Sequence, residues 1–167
     1  MSFNLVPDYK FDTFDAVTTE HLLFIGVRCV LLDIDNTLEP YENPTPSERV
    51  LAWLSSLDAS GISYAIISNN NKDRVEKFTA GLDIKAYPMS CKPFKRNLVR
   101  AMSELGVTPS ETAFIGDQIL TDVWAAHNAG VKAILVPPIK DKKDPFTRFK
   151  RLIERPFIKA FDRRQGR

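Results

Sequence analysis

Two aspartates, Asp33 and Asp35, follow the apolar run Val30-Leu31-Leu32 and open a small polar turn, Asn36-Thr37. Holding carboxylates beside a buried strand costs free energy unless a cation or hydrogen bonds offset the charge. Three further stretches carry groups that would complete such a site: Ser68-Asn69, Lys92, and Asp117 with Asp122. Taken singly, each has a bland reading: a helix cap, a turn, a solvated surface lysine. Together they supply several carboxylates, one ammonium and one hydroxyl, which is the set that phosphoryl transfer needs. Oxygen-rich sites with room for water suit Mg²⁺. Such an ion would offset both the carboxylates and the charge of a bound phosphate. One carboxylate can act as a covalent nucleophile, giving an aspartyl-phosphate that water then breaks. A second, two residues on, can protonate the leaving group and then activate that water. Lysine, serine hydroxyl and neighbouring backbone amides can hold phosphate oxygens.

These groups need elements that bring them to one place. Residues 27–32 and 62–67 are continuous apolar runs of strand length, as expected of strands buried on both faces. Shorter strands are expected over 84–87, 112–115 and 132–136. Between them lie helical patterns: one capped by Ser47 and ending near Gly61, then 72–80, 93–105 and 120–128, each stopped by a glycine. Strands alternating with helices predict an α/β fold with a parallel five-stranded sheet covered on both faces. Ligands of such sheets sit at the carboxyl ends of the strands, where every one of the polar stretches falls. Residues 1–26 read as an irregular lead-in with one short helix capped by Thr18 or Thr19. Three prolines in 39–46 exclude regular structure there. Trp53 and Trp124 fall on apolar helix faces, and His21 and His127 have no partner pattern.

A length of 167 residues, 44% apolar and 26% charged, suits one compact domain. No apolar run approaches the length of a membrane-spanning helix, and the first ten residues lack the pattern of a secretion signal. Cys29 and Cys91 have no metal-ligand spacing and read as unpaired thiols of a reducing cytoplasm. The net charge of +2 is unevenly spread: residues 140–167 hold 11 of the 23 Lys/Arg but 4 of the 21 Asp/Glu. That split marks a body over 1–139 and a basic extension over 140–167. In the extension Phe146, Phe149, Ile153, Phe157 and Phe161 recur at helical spacing, with Arg148, Lys150, Arg151, Arg155, Lys159, Arg163 and Arg164 between them. Pro156 is expected to kink or divide that helix. A basic amphipathic segment can lie on an anionic membrane; the other reading packs its phenylalanines on the body. No nucleic-acid-binding motif is present.

Asp33-Ile34-Asp35-Asn36-Thr37-Leu38 resembles the first motif of the haloacid dehalogenase-like (HAD) phosphatases. Ser68 fits their second motif, Lys92 their third, and Gly116-Asp117 with Asp122 their fourth. The resemblance spans residues 27 to about 137 in the family's order. It implies a Rossmann-like three-layer sandwich, with Asp33 as nucleophile and metal ligand. It also implies Asp35 as general acid/base and as a metal ligand through its backbone carbonyl. Asp117 would be a further ligand of Mg²⁺ with Asp122 near it, while Ser68 and Lys92 would hold the phosphate; Asn69, beside Ser68, is a candidate phosphate contact or simply part of the turn. An aspartate at position 35 is usual in members that transfer phosphate to water. The gaps at 39–46 and 69–91 leave no room for the cap domain that many members carry. The wording DIDNTLEP, ISNNN, CKPF, TDVW and LVPPI is similar to the YqeG-type branch of subfamily IIIA. That branch is related to mitochondrial phosphatidylglycerophosphate phosphatases, which implies a lipid headgroup as substrate. The alternatives are a soluble phosphorylated metabolite, or a switch module that accepts phosphate on Asp33 without turnover.

Overall fold

The computed structural model describes residues 4–140 and 145–165, with the side chains of 145–151 outside the description. Six parallel strands form one sheet: β1 (Tyr9–Lys10), β2 (Cys29–Leu32), β3 (Ser63–Ile67), β4 (Lys85–Tyr87), β5 (Thr112–Gly116) and β6 (Lys132–Leu135). Their order is β1-β6-β5-β2-β3-β4, so β2 lies inside and pairs with β3 and β5. Leu32 stands level with both Ile66 and Ile115, which brings three strand ends to one height.

Side chains alternate strictly across this sheet, as the pleat requires. Val30 and Leu32 face one core, with Ile66, Ile115 and Ile134; Cys29 and Leu31 face the other, with Ile67, Phe114 and Ala133. The first core is closed by Leu22 of α1 (Thr19–Phe24), by Val50, Trp53, Leu54 and Leu57 of α2 (Glu48–Ala59), and by Val75 and Phe78 of α3 (Lys72–Thr79). The second is closed by Leu98, Ala101 and Met102 of α4 (Arg96–Leu105) and by three alanines of α5 (Trp124–Ala129). This is the expected three-layer sandwich. Trp53 is core, as its apolar face implied, and its indole N–H reaches the Val17 carbonyl at 3.0 Å. Ser47 accepts from the Val50 amide, and Thr18 from the His21 amide, as caps do.

Three expectations are corrected. The sheet has a sixth strand, because the lead-in contains β1. Two residues carry no readable apolar pattern; β1 is held by its flanks, Asp8 N–H to Ala133 and Phe11 N–H to Leu135. The helix expected over 120–128 begins instead as one wide π turn, Ile119–Val123, before α5. Finally, of the two outcomes expected at Pro156, a kink or a division, the division is corrected: α6 (Pro145–Arg164) runs through it. The proline removes one helical donor, but the next turn is fastened by Phe157 and Ile158, which pack on the second core. Of the apolar and basic positions read in the extension, the side chains of Phe146, Arg148, Phe149, Lys150 and Arg151 lie outside the described residues.

His127, bland in the sequence, ties the N-terminal strand to α5. Its Nδ1 lies 2.7 Å from the Asn4 carbonyl and its Nε2 3.3 Å from Asp8 Oδ2. Two acceptors on one ring favour the doubly protonated form. The Asp8 hydrogen bond therefore raises the His127 pKa above 6.5, against partial burial. Burial pushes the Asp8 carboxyl up, but hydrogen bonds from His127 and the Ala133 amide outweigh it and leave the pKa below 3.8. The His127 contribution is complete below pH 6.5 and is lost as pH rises through the raised value. The Asp8 contribution is present above pH 3.8 and is lost as pH falls. The melting temperature of Asp8→Asn should thus trail wild type by about 2–5 °C near pH 5.5. In thermal melts that gap should narrow above pH 8.

Candidate active site

The site lies at the carboxyl ends of β2, β3 and β5, with the loop after β4 closing it. Asp33 directly follows β2, and its amide extends the ladder to Ile115 at 3.1 Å. The chain then turns sharply: the amides of Thr37, Leu38 and Glu39 all converge on the Ile34 carbonyl. Asn36 takes the left-handed conformation at the corner, φ +66°, which asparagine tolerates better than most residues. The loop beyond is organised by buried Glu39, whose carboxylate accepts from the Asn43 side chain and the Ser47 amide, both at 2.8 Å. This loop carries Tyr41 to the rim of the site.

Lys92 is the centre of the arrangement. Its side chain is only 2% exposed, and Nζ lies 2.6 Å from Asp33 Oδ1 and 2.8 Å from Asp122 Oδ1. Burial lowers the lysine's pKa, but Asp122 and Asp33 outweigh it, so the ammonium holds its proton more tightly than usual. Asn69 positions Lys92 from behind: its Oδ1 accepts from the Lys92 amide at 2.7 Å and its Nδ2 donates to the Lys92 carbonyl at 3.2 Å. Both polar atoms of Asn69, a candidate phosphate contact, are thus engaged with the lysine main chain. Ser68 is buried, and its hydroxyl oxygen accepts from the Asn70 amide at 3.0 Å.

Asp33, Asp117 and Asp122 are all buried, and one oxygen of each lies within 4.8 Å of the others. Thr37 Oγ1 sits between Asp33 and Asp117, with long 3.4 Å contacts to both. Desolvation, only partly countered by Lys92, lifts the Asp33 carboxyl to about 6. Desolvation and the charges of Asp122 and Asp33 push Asp117 well above the usual range. Three carboxylates around one ammonium leave an excess of negative charge away from water. An all-oxygen donor set of this kind fits a hard divalent cation. Gly116 makes the packing feasible, since a Cβ there would fall 2.5 Å from Asp122 Cγ and Oδ2. The spacing of glycine, Asp117 and Asp122 thus reflects the approach of the second aspartate onto bare backbone.

Asp35 stands apart from this cluster. Its carboxylate faces the other side of the cleft, where Asn70 Nδ2 donates to Oδ2 at 3.1 Å and Arg74 Nε to Oδ1 at 3.1 Å. Arg74 also holds the Pro44 carbonyl at 3.0 Å and stacks over Phe78. The open cleft is lined by Asp33, Asp35, Ser68, Asn69, Lys92 and Asp122, joined by Tyr41, Asn70, Gln118 and Thr121. Asp117 joins them through the acid cluster, so all seven expected residues meet. Sequence reading missed Thr37, Asn70 as a partner of Asp35, Arg74 and Glu154. Glu154 Oε1, from α6, accepts from the amides of Ile119 and Leu120 at 2.9 and 3.2 Å. No spacing rule reaches it, because it joins the site from outside the strand–helix repeat. The two thiols are free; Cys29 is buried, which pushes it up to about 12, and Cys91 is exposed.

The haloacid dehalogenase-like hydrolase family model matches residues 12–130. The chain is 32% identical over 159 residues to a probable phosphatase, YqeG, of Bacillus subtilis, covering 95% of this chain and 92% of that one. It is 30% identical over 95 residues to a phosphoglycolate phosphatase of Salmonella paratyphi A; that match covers 52% of this chain and 37% of the relative. The fold is shared with a solved structure from Vibrio cholerae described as a putative 3-deoxy-D-manno-octulosonate 8-phosphate phosphatase. There the TM-score is 0.57 at 18% identity, covering 80% of this chain and 77% of that one. With the four motifs converging on one cleft and the model spanning most of the chain, this protein belongs to the haloacid dehalogenase-like hydrolase family.

Proposed function

We propose that the protein is a Mg²⁺-dependent phosphomonoester hydrolase that works through an aspartyl-phosphate on Asp33. The observation that carries this reading is the Lys92 ammonium held 2.6 Å from Asp33 within a group of three buried carboxylates. Such a group makes an oxygen of Asp33 a nucleophile beside positive charge rather than a free anion facing a phosphate dianion. The carboxylates of Asp33, Asp117 and Asp122 and the carbonyl of Asp35 would hold the ion. When bound, it supplies charge neutralisation for the phosphate and the acid cluster.

The chain's own groups account for the rest. Ser68 and Lys92 orient the phosphate, and Asn69 acts there by fixing the Lys92 main chain. An oxygen of Asp33 forms a bond to phosphorus as the bond to the leaving oxygen breaks, and Asp35 gives that oxygen its proton. The Asp35 carboxylate then takes a proton from water, whose oxygen attacks phosphorus and releases Asp33 and inorganic phosphate. A phosphate-accepting switch without turnover would not need Asp35 in the cleft, so that alternative is the weaker one.

The substrate reading follows from openness. The segments 33–47 and 68–84 contribute only a loop and α3, so among the described residues nothing encloses a small substrate. A phosphorylated headgroup projecting from a bilayer suits such a cleft, and the wording shared with the YqeG-type branch of subfamily IIIA favours phosphatidylglycerophosphate. The outer face of α6 presents Leu152, Ile153, Arg155, Lys159, Arg163 and Arg164 to solvent. We assign that face of the 140–167 extension to anionic membrane contact. Among the described residues no helix is long and apolar enough to cross a membrane. A soluble phosphorylated metabolite is the second reading, favoured by the local similarity to a phosphoglycolate phosphatase.

Asp33→Asn should lower kcat/KM on an aryl phosphate by about 10³-fold or more, as loss of a covalent nucleophile does. Chelation of divalent ions should abolish turnover and added Mg²⁺ restore it; equal rates for wild type and Asp33→Asn would overturn the nucleophile. For the substrate, phosphate release from phosphatidylglycerophosphate in vesicles should exceed release from soluble sugar, glycolate and nucleotide phosphates. Equal or lower release from the lipid rejects the lipid reading and leaves the hydrolase reading standing.

A further inference from the structure

We infer that Glu154 is a positioning residue for the loop that carries Asp117 and Asp122, so that α6 is a working part of the cation site. This rests on the metal reading above. The first amides of any helical turn have no partner within the turn, and here Gln118 provides no side-chain cap. Three successive amides are instead taken by two carboxylates. Asp122 Oδ2 accepts from Gln118 at 3.0 Å, while Glu154 Oε1 accepts from Ile119 and Leu120. That division leaves Asp122 Oδ1 free to pair with Lys92. Without Glu154, the amides of Ile119 and Leu120 lose their side-chain acceptor, directly after the Gln118 amide that Asp122 already holds. Drawing Asp122 back over the turn would pull it from Lys92 and from the acid cluster.

Glu154 is itself held in place. It is buried, the following Phe157 and Ile158 pack on the core beneath β5 and β6, and Asp162 pairs with Lys10 of β1 at 3.1 Å. The two bonds from one oxygen fix both the position and the direction of the π turn. The role needs the reach of the side chain and an acceptor oxygen. Glutamine retains both; aspartate keeps the charge but is one methylene too short.

The test compares Glu154→Ala, Glu154→Gln and Glu154→Asp in the full chain. Mg²⁺ binding is read by titration calorimetry, and exchange of the Ile119 and Leu120 amides is read by NMR in metal-free protein. The alanine and aspartate variants should bind Mg²⁺ about tenfold more weakly, the scale seen for groups that orient metal ligands. Their two amides should exchange faster, and their turnover of an aryl phosphate should recover at high Mg²⁺. The glutamine variant should stay close to wild type in all three. Unchanged Mg²⁺ affinity in Glu154→Ala, or a Glu154→Gln as weak as Glu154→Asp, overturns the inference. Should the alanine variant not fold, the glutamine–aspartate comparison decides it alone. A wild type that binds no Mg²⁺ overturns the metal reading itself, with amide exchange still reporting on the contact.

Discussion

A buried ammonium between two buried carboxylates governs this molecule. Lys92, Asp33 and Asp122 are each almost wholly removed from water, a placement that is costly for any one of them alone. They are mutually necessary, since removing one partner leaves a buried charge uncompensated. Desolvation first, and then the surplus of negative over positive charge in the group, is why Asp33 and Asp117 hold their protons above the usual range. A site of this composition is ready to take up a cation and a phosphate together.

Holding such a group requires rigid surroundings, and the parallel sheet provides them. The ends of β2, β3 and β5 stand in register, so Asp33 leaves the sheet one residue short of the level shared by Ser68 and Asp117. The polar side chains around them bind backbone more than they face the cleft. Asn69 clamps both sides of Lys92, Glu39 fastens the loop bearing Tyr41, and Arg74 joins Asp35 to the Pro44 carbonyl. The wide turn at Ile119–Val123 belongs to the same economy of space. It brings Asp122 onto bare Gly116, where a regular side chain would collide.

Much of this was legible beforehand, for identifiable reasons. The strand at β2 was readable because a doubly buried strand must be apolar throughout, and the gathering of the seven candidate residues because parallel strands bring their carboxyl ends together. The edge strand β1 was not, since two residues held by neighbouring backbone leave no pattern. Neither was the π turn, because its sequence is that of an ordinary helix and only the demands on Asp122 widen it. The place of Asn69 beside Ser68 suits a phosphate contact or a turn residue, whereas its amide serves the Lys92 main chain.

The sequence by itself determined the alternation of strands and helices, the carboxyl-end placement of the polar groups, and the chemistry they share. Those properties are local: they depend on residue type, spacing and the periodicity of burial. Only the tertiary structure decided which charges touch. It placed Lys92 between Asp33 and Asp122, turned Asp35 toward Arg74, and brought Glu154 from the last helix to two amides beside the acid cluster. Contacts between residues so far apart in the chain are set by how the layers pack, and no local pattern encodes that.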